Sequence, residues 1–202
     1  CDAIARDGRG RTGGRLMAVH SVLVAGHLCI DITPELNRVP ALVPGQLYEV
    51  GSAQLTLGGC VANTGLALAA AGVPTRVCGC VGDDPLGEII RGLLAEQGVD
   101  LEEVTTTAEA ATSYTIVLQS PDHDRTFWHH SGANARFTGR EVNLGGVGIL
   151  HLGYPPLLPA LLDDDASPLL DLLQEARSRG ITTSLDLAVV DRRSKAADVN
   201  WR

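Results

Sequence analysis

From residue 17 onward the chain alternates between short β-branched apolar runs and longer segments whose apolar residues recur three and four apart, a pattern of strands interleaved with helices. Val19 to Ala25 (VHSVLVA), ending at Gly26, predicts an inner strand of a parallel sheet. Thr75 to Val81, Val147 to Gly153 and Ile181 to Leu187 repeat that pattern. Pro85 to Gln97 carries Leu86, Ile89, Ile90, Leu93 and Leu94 at helical spacing and predicts a helix closed by Gly98. Ser167 to Arg179 predicts another helix. Asp83 and Asp84 read as an N-terminal cap, and Asp163 to Asp165 as a solvated loop before a Ser167 cap. Two further segments alternate with period two. Gln46 to Leu57 follows a stretch with three prolines, and Thr112 to Gln119 leads through the turn Ser120-Pro121-Asp122-His123-Asp124 into Arg125 to His130. These predict edge strands and hairpins, two antiparallel inserts on an otherwise alternating α/β chain.

Between the first two apolar strands lies Gly58 to Gly72 (GGCVANTGLALAAAG). From Cys60 to Ala71 only Asn63 and Thr64 have polar side chains, which predicts a helix buried on the sheet. Gly58 and Gly59 at its start bring bare backbone amides close to a ligand, and Asn63 in the first turn adds a donor and an acceptor. That combination suits a neutral, hydroxyl-rich ligand. Asp31, just past the first strand, can accept hydrogen bonds from two hydroxyls, because ligands of open α/β sheets gather beyond the strands' carboxyl ends. The alternative for Asp31 and Asn63 is turn capping. His27 reads as a loop-packing residue. His129 and His130 have strand spacing and so point to opposite faces, which prevents joint chelation of one metal. Asp186, at a strand end, has two readings, a cleft residue or a turn.

Gly58-Gly59-x-x-x-Asn63-x-x-x-Ala67-x-Ala69-x-x-Gly72, followed by Val81-Gly82-Asp83-Asp84-x-x-Gly87, resembles the first signature region of the PfkB (ribokinase-like) carbohydrate kinases. The likeness runs from about Val22 to the chain's end. It implies a three-layer ribokinase-like (Rossmann-like) α/β sheet flanked by helices, with a small antiparallel β lid over the sugar, built from segments about 34–57 and 112–131. In that family the lid is often a dimer contact, which implies a homodimer. Gly26-His27-Leu28-Cys29-Ile30-Asp31 resembles the segment that supplies the family's sugar-binding carboxylate. The resemblance therefore implies substrate contacts from Asp31, Gly58, Gly59 and Asn63. Gly132-Ala133-Asn134 resembles a loop at the lid's return, where Asn134 either orders backbone near the site or makes a turn. The implied activity is transfer of the γ-phosphate of ATP, with Mg²⁺, to a sugar hydroxyl. The family's Asp/Asn-Thr-x-Gly-Ala-Gly-Asp motif, which carries the catalytic base and the phosphate-holding amides, is absent from these residues. The resemblance thus covers the sugar-binding half of a truncated kinase, with the base expected beyond Arg202 and the fragment itself expected to be inactive. There is no Walker A motif. The competing readings are a non-catalytic sugar- or polyol-binding module and a Rossmann-type oxidoreductase. The latter needs a glycine fingerprint after the first strand, and Gly26 to Asp31 does not supply one.

Composition adds limits. With 202 residues, 45% hydrophobic and 20% charged, the chain can build one sizeable core. A net charge of −8 leaves no basic footprint for nucleic acid or an acidic membrane, and no apolar run is long enough to span one. Five cysteines in apolar settings point to buried thiols in a reducing compartment, the cytoplasm. Cys78-x-Cys80 lacks a second ligand pair, so spacing yields no metal site. Residues 1 to 16, with four arginines and no period, predict an unstructured leader, with translation starting at Met17 and the kinase-like domain spanning 17–202.

Overall fold

In chain order the elements are β1 (Ser21–Gly26), β2 (Cys29–Pro34), β3 (Ala53–Gly58), α1 (Gly59–Ala70), β4 (Thr75–Gly82), α2 (Pro85–Glu96), β5 (Val104–Thr107), β6 (Tyr114–Ser120), β7 (His123–His130), β8 (Val147–Gly153), α3 (Asp163–Ser178) and β9 (Thr182–Asp186). The computed structural model describes residues 21–38, 41–121, 123–188 and 193–201. The leader and the Met17 start lie outside the described residues.

The apolar runs form a five-stranded parallel sheet in the order β5-β4-β1-β8-β9. Because successive side chains point to opposite faces, its strands feed two cores. Leu23, Ala25, Leu150 and Leu152 pack with Phe137, Leu161 and the α3 residues Leu169, Leu172 and Ala176. Val77 and Val81 pack with Val61 of α1 and with Ile90 and Leu94 of α2. Helices on both faces make three layers.

The second sheet has the order β3-β2-β6-β7 and is mixed, which corrects the antiparallel expectation. β2–β3 and β6–β7 are antiparallel, but β2 and β6 run parallel. Both leave the carboxyl end of a large-sheet strand, β2 after β1 and β6 after β5, so they travel in the same direction. The boundary of the first lid segment also shifts. Its strands are 29–34 and 53–58, and among the described residues between Glu35 and Ser52 no strand forms. Pro44, Gly45 and Gly51 fall in that stretch, where proline removes ladder donors. Asp31 therefore sits on a strand and not in a loop. The expectation of a fully buried α1 also needs correction. Gly59, Cys60, Val61, Ala62 and Gly65 are buried, while Asn63, Ala67 and Ala70 are exposed, because only one helix face meets the sheet.

Asp84 caps α2 as expected. Its Oδ1 accepts from the Gly87 amide at 2.9 Å, and its Oδ2 accepts from the Thr112 amide at 2.7 Å, tying the helix start to the entry of β6. Asp83 contributes through its backbone, its amide donating to the Thr107 carbonyl. Asp84→Ala should lower stability by about 1–2 kcal/mol, read as a urea-midpoint shift without loss of the far-UV spectrum. In α3, Asp164, Asp165 and Ala166 have positive φ, so the regular helix starts near Ser167, as the composition of the segment suggested.

Candidate functional site

The chain builds β4 and β5 on one side of β1, then crosses to build β8 and β9 on the other. A crevice opens where such directions diverge, beyond the carboxyl ends of β1 and β8. His27 follows β1, Tyr154 follows β8, and the start of α1 lies between them.

The small sheet covers this crevice with one of its two faces. Pairing across its four strands places Thr56, Asp31, Thr115 and His129 in one row, and Leu55, Ile32, Ile116 and Trp128 in the next. Adjacent rows point to opposite faces, so the first row is the polar face and the second the apolar one. On the polar face a continuous network forms. The Cys29 thiol donates to Asp31 Oδ1 at 3.4 Å and lies 3.7 Å from Thr115 Oγ1. Thr115 Oγ1 is 3.1 Å from His129 Nδ1, and His129 Nε2 is 3.3 Å from His27 Nε2. The His27 ring centroid is 5.8 Å from that of Tyr154, and the Asn63 side chain lies near the Tyr154 hydroxyl. Asp31 thus stands at one end of this hydrogen-bonded network and His27 at the other, with Tyr154 and Asn63 beyond it.

The glycines act differently from the expectation that a ligand would approach their backbone. A Cβ on Gly58 would lie 2.5 Å from Asp31 Oδ1, and one on Gly59, at φ +85°, would lie 2.4 Å from the His27 carbonyl. The Val61 amide already donates to that carbonyl at 3.1 Å. The space freed by the glycines is filled by protein: Gly58 seats the Asp31 carboxylate and Gly59 seats the loop of His27. Asn134 is fully buried. Its Oδ1 accepts from the Leu28 amide at 3.2 Å and its Nδ2 donates to the Leu28 carbonyl at 2.9 Å, so it orders the β1–β2 loop and does not present its amide to a ligand. This is the backbone-ordering reading of Asn134.

The imidazoles, thiols and phenol around the crevice are held neutral. Burial, then the proximity of His129, pushes His27 down to about 3, and burial also lowers His129. Burial raises the Cys29 and Cys60 thiols and the Tyr154 phenol. His27 Nδ1 is buried and has no hydrogen-bond partner among the described residues. Tyr154 has φ 54° and ψ 49°, a left-handed conformation that costs a bulky residue about 1–3 kcal/mol. Its amide, donating to the Asp186 carbonyl at 2.8 Å, helps hold it there. Sequence reasoning missed Tyr154, although its place directly after an inner strand at the crossover was a usable signal. It also left Asp186 open; that residue lies at the crevice, with Cys60 and His151.

A carboxylate, an amide and a phenol facing one crevice can bind hydroxyls. They do not make a triphosphate cradle. The Asp31 carboxylate over Gly58 puts negative charge at the start of α1, where a phosphate would otherwise be favoured.

A parallel sheet with helices on both faces and a second sheet over its crevice is the ribokinase-like α/β fold. The structure of Arabidopsis thaliana ribokinase complexed with ribose and ATP superposes with a TM-score of 0.70 at 21% identity, covering 85% of this chain and 55% of that one. A fructokinase from Xylella fastidiosa gives 0.67 at 22%, covering 84% and 51%. The sequence profile of the pfkB family carbohydrate kinase matches residues 19–199, and the chain belongs to that family. Curated relatives include an ATP-dependent ribose-1-phosphate kinase of Halopiger xanaduensis, 32% identical over 60% of this chain and 40% of the relative. An aminoimidazole riboside kinase of Salmonella typhimurium is 28% identical over 63% and 36%. The chain thus spans well under half the length of these two relatives. No helix among the described residues is long and apolar enough to cross a membrane.

Proposed function

We propose that this chain carries the sugar-binding part of an ATP-dependent carbohydrate kinase, with Asp31 and Asn63 holding hydroxyls of a sugar or a riboside. The observation that carries this reading is the Asp31 carboxylate seated on Gly58 at the start of α1, at the end of the polar row through Thr115 and His129, with Asn63 one turn further along that helix. The carboxylate accepts from two hydroxyls, and the amide both donates and accepts. ATP and Mg²⁺ are the family's phosphoryl donor and its cation; the described residues do not fit a phosphate cradle, so no transfer step is assigned to them. Four free buried cysteines support a reducing compartment, the cytoplasm. The half-exposed row of Leu55 and Trp128 on the outer face of the small sheet supports a homodimer formed through it.

Calorimetric titration of the chain with ribose, fructose and a purine riboside tests the site. Asp31→Ala and Asn63→Ala should each weaken the preferred ligand about tenfold or more, because each loses a hydrogen bond worth about 1–3 kcal/mol once the ligand is bound. Melting temperatures should change little. Variants that melt early yet keep ligand affinity would show that the two residues only brace the backbone. Sugar-dependent ATP turnover by the 202-residue chain is expected to be absent, and its detection would overturn the assignment of the transfer chemistry to other residues.

A further inference from the structure

Cys60, His151 and Asp186 come from α1, β8 and β9, and one ligand atom from each lies within 4.8 Å of the other two. No sequence motif connects them. We propose that they form a binding site for a thiophilic divalent cation, zinc above all, with the fourth coordination position open toward the crevice.

The donor set carries the choice of ion. One thiol, one imidazole and one carboxylate match the ligands zinc takes, whereas magnesium and calcium take oxygen. Tetrahedral zinc holds such atoms about 3.3–3.6 Å apart, a contraction that rotation of the exposed Asp186 side chain can supply. The imidazole is already oriented. His151 Nδ1 lies 3.0 Å from Ser184 Oγ, and its Nε2 lies 3.1 Å from Cys60 Sγ. With the Nδ1 proton donated to Ser184, Nε2 has its lone pair free and accepts from the thiol. A hydroxyl on the far ring nitrogen is the outer support that metal-binding histidines use. The cation would replace the thiol proton: Zn²⁺ binds the sulfur, Nε2 and a carboxylate oxygen, and one proton leaves to solvent. Cys60 cannot drift from this position, because its Cβ packs directly over Gly153, where no other residue fits. The inference does not depend on the sugar reading, since it concerns ion binding alone.

Titration of the chain with Co²⁺, followed by optical spectroscopy, tests it, with zinc competition and proton release measured in weakly buffered solution. The expected result is one ion per chain, a thiolate-to-cobalt charge-transfer band, about one proton released, displacement by zinc, and no competition from Mg²⁺. Cys60→Ala and His151→Ala should abolish the band. Asp186→Asn should weaken binding, and Ser184→Ala should weaken it about tenfold. Cys80→Ala, which removes a buried thiol elsewhere, should leave it intact. Absence of the band, or its survival in Cys60→Ala, would overturn the proposal. Should Cys60→Ala fail to fold, unchanged Co²⁺ affinity in both His151→Ala and Asp186→Asn would overturn it equally.

Discussion

Alanine at position 153 should lower the melting temperature by roughly 6–12 °C, corresponding to about 3 kcal/mol or more for a chain of this size. A Cβ built on Gly153 would stand 1.9 Å from Cys60 Cβ and 2.1 Å from its Sγ. Neither partner can give way cheaply. Gly153 is the last residue of β8, paired with Gly26 and Asp186, and Cys60 belongs to the first turn of α1. Relief requires the helix to lift from the sheet. Cys60→Gly in the same chain should recover part of the loss, since it removes the colliding Cβ and Sγ. Gly92→Ala provides the opposite sign: that glycine lies inside α2 with nothing within 4 Å of its missing Cβ, so alanine should stabilise by about 0.5–1 kcal/mol. Thermal unfolding followed by circular dichroism checks all three. A Gly153→Ala chain melting with the parent would mean that α1 does not rest on β8 as closely as described.

Acid should destabilise the fold through His27. Its folded pKa is depressed to about 3 against an ordinary 6.5, so the unfolded chain binds the proton first. Stability from this residue is therefore fully present above pH 6.5, falls by about 1.4 kcal/mol per pH unit below it, and stops falling near pH 3. Across the whole window the loss is roughly 5 kcal/mol, large against a typical domain's stability. The groups around the ring explain the sign. It is 2% exposed, its Nε2 faces His129, and Tyr154 packs alongside, so no anion is bonded to it to welcome the charge. His27→Phe keeps a ring there and removes the titration. Urea midpoints at pH 7.5 and 4.5 should differ by more for the parent than for the variant, by about 2.7 kcal/mol if His27 acts alone. Equal slopes would assign the acid sensitivity to other groups.

The parallel sheet was legible because its inner strands β1, β4 and β8 are short apolar runs between turn residues; β8 matches its expected span residue for residue. β5 escaped notice because Val-Thr-Thr-Thr at a sheet edge has no apolar alternation, with only Val104 buried. β2 escaped for a different reason. Cys29 to Pro34 is held by partners at Gly58 and Tyr114, distant in sequence, and no local pattern announces a strand there. Asp31, Asn63 and the paired glycines could be picked out in the sequence as candidates around a helix start, where the structure does bring Asp31 against Gly58. What the glycines make room for was not, because that depends on which atoms of Asp31 and His27 return to the same spot. That His151 and Asp186 meet Cys60 could be known only once the strand order brought β8 and β9 beside β1.

The alternation of rows on the small sheet makes the length of β2 a functional quantity. Asp31 and Ile32 are neighbours in sequence but belong to opposite faces, one in the polar network and one in the row of Leu55, Ile116 and Trp128. Inserting or deleting a single residue within 29–30 would exchange them, lining the crevice with isoleucine and leaving a carboxylate on the outer surface. The connection from Glu35 to Ser52, which forms no strand among its described residues, can change length at little cost in closure entropy and without moving Asp31. Length variation is therefore permissible on one side of Pro34 and forbidden a few residues before it.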